Sequence, residues 1–197
     1  MGANSNTVFP APFGNNYKTV KEQYLFKASE IIAAGFTVGE ITEIAWETIA
    51  QNGATNNFNE YQIRIGCTNQ NYINSWQSGL STIFIAQNIT VALGLNTFSL
   101  NNAYRWDGNS NLIVEICYNN IITGIYTSNW STPFEITNFN SAIRYRNDLI
   151  PACSYLDTNY IITKRRPVLR IKTCQSLLNL ENDRKNEYNL NIYPTPA

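Results

Sequence analysis

Asp107-Gly108-Asn109-Ser110-Asn111 sets oxygen-bearing side chains at alternate positions, as the first half of a calcium loop does around a hard cation. The second half does not follow. The sixth position is Leu112 rather than Gly and the twelfth is Tyr118 rather than Glu. The segment therefore reads as a polar hairpin turn, for which Asp-Gly is a standard dipeptide. Carboxylates offer a second chemistry, because two acids flanking a glycosidic bond can hydrolyse it. Glu30, Glu40, Glu43, Glu47, Glu60, Glu115, Asp148 and Asp157 are available. Glu115 stands out because it interrupts the apolar run Leu112–Tyr118, and a buried carboxyl can shift its pKa and act as a general acid. The commoner arrangement is an outward-facing strand Glu paired with Arg64 or Arg170 on a neighbouring strand. No second acid is marked as its partner, so the pattern points away from an enzyme.

The 197 residues include no histidine. That excludes Ser-His-Asp and Cys-His catalysis, imidazole-based zinc sites and the commonest general base. No serine lies in G-x-S-x-G, and neither a Walker loop nor G-x-G-x-x-G occurs. No cofactor or metal is expected. Fourteen basic residues balance fourteen acidic ones, which excludes a broad electrostatic footprint for nucleic acid or anionic lipid. Arg105 and the run Lys164-Arg165-Arg166 read as solvated turns.

Aromatic side chains are the remaining resource for binding, since exposed Trp and Tyr stack on sugars and anchor interfaces. Trp46 and Trp106 fall in strand patterns and are assigned to the core. Trp76 (NSWQSG), Tyr126 and Trp130 (SNWSTP) fall in Asn/Ser/Gly-rich loops and are the ligand-binding candidates. Against that stands burial, the usual fate of large aromatics.

The elements that must carry these residues are mostly strands. In Phe58–Cys67, the residues Tyr61, Ile63, Ile65 and Cys67 alternate with Gln62, Arg64 and Gly66, the mark of a half-buried strand. Leu112–Tyr118 is apolar on both faces apart from Glu115, as in a central strand. Shorter strands are predicted at Ile41–Trp46, Thr82–Ala86, Thr97–Leu100, Ala142–Arg146 and Val168–Lys172. Lys27–Gly35 has helical spacing and ends on a glycine suited to a C-cap, predicting one or two helical turns across an end of the fold. The predicted class is all-β: a jelly-roll-like antiparallel sandwich with one short helical segment.

Cys67, Cys117, Cys153 and Cys174 show no C-x-x-C spacing, which disfavours metal or thioredoxin-like roles. Cys153 and Cys174 share the irregular C-terminal third and are the favoured pair. Cys67 and Cys117, within strand-like runs, stand equally as small buried hydrophobes or as a disulfide. No run of 18 or more apolar residues suggests a membrane helix, and Met1–Asn6 does not resemble a signal peptide. Charged residues make up only 14% of the chain, while asparagine occurs 29 times. Asn, Thr, Tyr and Ser replace Lys and Glu as the solubilising surface, which favours an extracellular or cell-surface location.

Residues 175–188 carry the densest charge and read as a linker. Asn191-Ile192-Tyr193-Pro194-Thr195-Pro196-Ala197 resembles the opening of the C-terminal sorting domain of the Bacteroidetes type IX secretion system, with Thr195 where Asn is usual. Residues 189–197 are accordingly assigned to the start of such a domain. A second resemblance rests on Gln23–Phe26, Glu30–Gly35, Gly39–Ile41, Asn57-Phe58 and Ile63–Gly66. It continues through Asn96–Phe98, Trp106–Gly108, Ser110–Leu112, Val114–Tyr118 and Arg166-Pro167. In order, these blocks resemble a β-sandwich module of secreted Bacteroidetes proteins, assigned to residues 1–174. The resemblance implies a non-catalytic surface module for adhesion or glycan binding, with a glycan or surface protein as ligand. The secretion machinery would be a partner through the tail. The alternative expectation is a self-associating subunit of a surface layer or filament, since low charge and net neutrality suit close packing of identical copies.

Overall fold

Alternation along the long strands decides the architecture. Asn111–Asn119 has Leu112, Val114, Ile116 and Tyr118 on one face and Ile113, Glu115 and Cys117 on the other, and both sets are buried. Such a strand must lie inside a sheet that is covered on both sides. The computed structural model describes residues 2–3, 12–14, 16–53, 55–121, 130–156, 158–174 and 187–192. In chain order the elements are β1 (Gly2–Ala3), β2 (Thr19–Phe26), α1 (Ala28–Ala33), β3 (Gly39–Thr48), β4 (Ala50–Gln51), β5 (Asn57–Thr68), β6 (Ser81–Thr90), β7 (Gly94–Trp106) and β8 (Asn111–Asn119). They continue with β9 (Trp130–Ser131), β10 (Pro133–Ile136), β11 (Ala142–Asn147), β12 (Ile161–Thr163), β13 (Arg165–Pro167), β14 (Leu169–Cys174) and β15 (Glu187–Ile192).

A six-stranded sheet, β12-β11-β2-β8-β5-β6, packs against a four-stranded one, β15-β14-β3-β7. Small sheets β1-β10-β13 and β4-β9 complete the fold, and the described pairings are antiparallel. The chain crosses repeatedly between the two main sheets, so neighbours such as β2, β8 and β5 are distant in sequence. This is the all-β, jelly-roll-like sandwich with one short helix that the patterning predicts.

The main core lies between the sheets. Tyr24, Tyr61, Val114 and Tyr118 of the larger sheet meet Ile44, Trp46, Phe98 and Ile171 of the smaller one. Phe13 packs among these rings, with centroids 5.9–6.1 Å from Tyr61, Phe58, Trp46 and Phe98. Trp46 and Trp106 are buried in this core, as the strand pattern predicts. Helix α1 is short because Gly35 ends it at φ 97°. The amides of Gly35 and Phe36 turn back to the carbonyls of Ile32 and Ile31 at 2.9 and 3.2 Å, the Schellman closure.

Two details depart from the sequence reading. The alternation of β5 fails at its end, where Gly66 is buried and Cys67 is exposed. A Cβ at Gly66 would meet the Leu80 side chain at 2.7 Å, so glycine there lets the following loop lie against the sheet. Asparagine, read as surface, also serves the backbone. Asn147 Oδ1 accepts from the amides of Leu149 and Ile150, and Asn120 accepts from Asn59 N–H and donates to Asn57 C=O. A side-chain amide supplies both a donor and an acceptor to loops that lack ladder partners.

Candidate functional site

Register on the outer face of the six-stranded sheet builds a polar grid. Gln62, Cys117, Lys21 and Tyr145 form one row across β5, β8, β2 and β11, and Arg64, Glu115, Gln23 and Ile143 form the next. Glu115 pairs with Arg64 beside it, and Lys21 Nζ lies 3.7 Å from its Oε2. Gln23 Nε2 donates to the same oxygen at 2.6 Å. The sequence offered Arg64 or Arg170 as partner; Arg64 takes the role, and Arg170 pairs with Glu47 at 3.1 Å.

Two loops roof this grid. From residues 69–80, Gln77 exchanges two hydrogen bonds with the Gln23 side chain, each 2.8 Å. Trp76 sets its ring 4.8 Å from Lys21 Nζ. From residues 148–160, Tyr155 stacks on Tyr145 and its carbonyl accepts from Lys21 Nζ at 2.8 Å. Cys153 bonds to Cys117 with a Cα separation of 5.3 Å, and its carbonyl accepts from Arg64 at 3.3 Å. This corrects the expected Cys153–Cys174 pair: the loop after β11 folds back over β8 and brings Cys153 to Cys117 instead. Cys67 is a free cysteine, 3.3 Å from the Tyr104 hydroxyl.

Lys21 and Glu115 are each only 2% exposed. Burial lowers the lysine pKa below its ordinary range, with Glu115 partly opposing. The carboxylate is engaged by two cations and an amide under a closed roof, which suits a counter-ion better than a proton donor to substrate. On the inner face of β2, buried Glu22 accepts from the Tyr24 hydroxyl. Burial first, then Glu22, raises the Tyr24 pKa well above the usual range.

Arg166 corrects another expectation. It is fully buried rather than part of a solvated turn, pairing with Glu30 and Glu135 and donating to the Leu25 carbonyl. Its guanidinium centre lies 4.4 Å from the Phe26 ring. Burial raises the Glu135 pKa, and Arg166 only partly offsets the rise. The charge run gave no hint of this, because a single buried arginine looks like its neighbours Lys164 and Arg165. Asp107 sits in a turn, but not a hairpin: residues 107–110 carry the chain from β7 of the four-stranded sheet to β8 of the six-stranded one, so the two strands are not paired. Its Oδ1 accepts from the amides of Asn109 and Ser110, its Oδ2 accepts from Ser110 Oγ, and these bonds hold its pKa low.

Trp76 and Trp130 do not share a site. Trp130 is 2% exposed, its indole donating to the Thr55 carbonyl at 3.3 Å, so no ring face is left for a ligand. Trp76 keeps part of its surface in solvent while capping Lys21 and meeting the Tyr160 ring edge at 6.0 Å. Tyr126 lies outside the described residues. Sequence reasoning missed a depression of about 180 Å³ on the outer face of the four-stranded sheet. Ala45 is its floor, with Leu95 and Thr97 on β7 and Arg170 and Lys172 on β14 around it. Glu43–Lys172 and Glu47–Arg170 pairs, at 3.3 and 3.1 Å, flank Ala45 along the sheet. The available signal was a small residue between two acids on β3 (Glu43, Ala45, Glu47), opposite two bases on β14.

The fold and these features define an all-β sandwich fastened by a disulfide and by buried ion pairs. Comparison with protein-family models, curated proteins and solved structures returns no match. Among the described residues, no helix is long and apolar enough to cross a membrane.

Proposed function

We propose that this chain is a non-catalytic extracellular β-sandwich module of a type IX-secreted surface protein that binds a neutral glycan. The observation that carries the reading is the Cys117–Cys153 disulfide, because such bonds persist in oxidising compartments and are rare in reducing ones. The sequence resemblance to secreted Bacteroidetes modules supports it. So does the engagement of Glu115, Glu30 and Glu135 in buried or half-buried ion pairs, which leaves these acids as framework.

The ligand class follows from the depression around Ala45. Glu43, Arg170 and Lys172 line it, and each base is paired with an acid of β3, Lys172 with Glu43 and Arg170 with Glu47, so it offers donors and acceptors side by side with the charges compensated. Sugar hydroxyls, each both donor and acceptor, match that arrangement. At about 180 Å³ it is smaller than the roughly 300–1,000 Å³ that encloses a drug-sized molecule. It would seat one unit of a longer chain.

A glycan array followed by titration calorimetry tests the proposal. Neutral glycans should bind, and Ala45→Leu or Arg170→Gln should weaken binding at least tenfold without changing the melting temperature. An array without hits overturns the glycan reading. Loss of binding in Trp76→Ala with retention in Ala45→Leu would move the site to the other sheet.

A further inference from the structure

The edge of the four-stranded sheet is closed by a strand that reaches it through an unusually long connection. β15 pairs antiparallel with β14 over six positions, Leu169 opposite Ile192 through Cys174 opposite Glu187. Adjacent antiparallel strands need only a two-residue turn, yet residues 175–186 separate these two. Twelve extended residues span about 40 Å, so the connection does not oblige β15 to pair with the β14 of its own chain. The register sets Tyr188, Leu190 and Ile192 opposite Thr173, Ile171 and Leu169, which are themselves buried. The intervening Glu187, Asn189 and Asn191 complete an apolar–polar alternation. Without β15, the edge of β14 turned away from β3 would present unpaired backbone groups.

We propose that β15 is an exchangeable strand, and that it closes the β14 edge of a second copy of this chain when copies are crowded. The contacts would be the same within and between copies, so concentration decides. Closing a connection of twelve residues costs more chain entropy than closing a shorter one, which lowers the effective concentration of β15 at its own edge. A short connection sets that concentration on the order of millimolar. Exchange is therefore negligible in dilute solution and competitive on a densely covered surface. Reciprocal exchange gives a dimer, and one-way exchange an open chain of subunits. The inference is independent of any glycan.

Mixing two single-cysteine variants tests it. In a Cys67→Ser/Cys174→Ser background that keeps Cys117–Cys153, one chain carries Lys172→Cys and the other Asn189→Cys, positions directly opposite in the register. Antiparallel neighbours lie within disulfide range. After equilibration at about 1 mM and mild oxidation, the 172–189 heterodimer should be abundant, exceed both homodimers and fall at least tenfold at micromolar concentration. Heterodimer no more frequent than homodimers means random collision and overturns the proposal. So does a Lys172→Cys/Asn189→Cys chain that closes on itself while the mixture yields nothing. Failure of that double variant to close would remove the pairing on which the proposal stands.

Discussion

Glu115 on β8 and Arg64 on β5 stand directly opposite each other and form an ion pair on the face turned away from the main core. Arg64 keeps 28% of its side-chain surface exposed, whereas Glu115 and its other cation, Lys21, are buried. The pair thus has a wet end and a dry end, and the dry end sets its energetics. Removing one member of a buried pair leaves the other charge uncompensated. Glu115→Gln should cost about 3 kcal/mol, and adding Lys21→Met should recover at least half of that loss. Urea midpoints of the three proteins give the comparison. Equal stability of the single and double variants would mean that Lys21 finds another counter-charge.

The disulfide is expected to be the strongest single fastening of the roof. With Cys117 and Cys153 separated by 36 positions in sequence, chain entropy predicts a loss of about 4 kcal/mol on reduction or in Cys117→Ser/Cys153→Ser. Denaturation with and without a reductant measures it, and a peptide map of the oxidised protein should recover the 117–153 cross-link.

Asp107 provides a pH test. Its pKa is lowered in the folded chain by bonds from Ser110 and Asn109, so the unfolded chain binds its proton first as pH falls. The stabilisation is therefore present above the ordinary carboxylate range and lost as pH drops through the folded value. Asp107→Ala should cost at most about 1 kcal/mol at neutral pH, and the gap from wild type should close as pH falls below the ordinary carboxylate range. Calcium should leave both melting temperatures unchanged.

Arg166 holds Glu30 on α1, Glu135 on β10 and the end of β2 at once. A lysine cannot reproduce that planar fork, so Arg166→Lys should lose about 3 kcal/mol despite keeping the charge. A melting temperature within two degrees of wild type would contradict this.

Trp130 and Trp76 should separate in stability. Trp130→Ala empties a buried site and is expected to cost about 3–5 kcal/mol. Trp76→Ala, on a partly exposed ring, should cost less than half as much. Thermal unfolding of the two variants decides it.

Alternation in Phe58–Cys67 and Leu112–Tyr118, and the glycine after Lys27–Ala34, were enough to specify the all-β class, the central strand and the short helix. These signals are local, because a strand's two faces and a helix's C-cap are written within a few residues. β2 was less legible. All eight of its residues are buried, so Lys21, Glu22 and Gln23 obscure the apolar pattern, and their burial depends on partners far away in sequence. The same holds for the sites. Glu115 was visible as an anomaly and Arg64 as one of two partners, but Lys21, Gln23 and the Cys117–Cys153 bond converge only when β2, β8 and β5 align and two loops close over them. Trp76 and Trp130 looked alike in sequence, yet one caps a lysine and the other sits in the core. Composition and periodicity determined which elements form. Which side chains become neighbours was decided by register and by loop closure, which bring together residues from 36 to 134 positions apart.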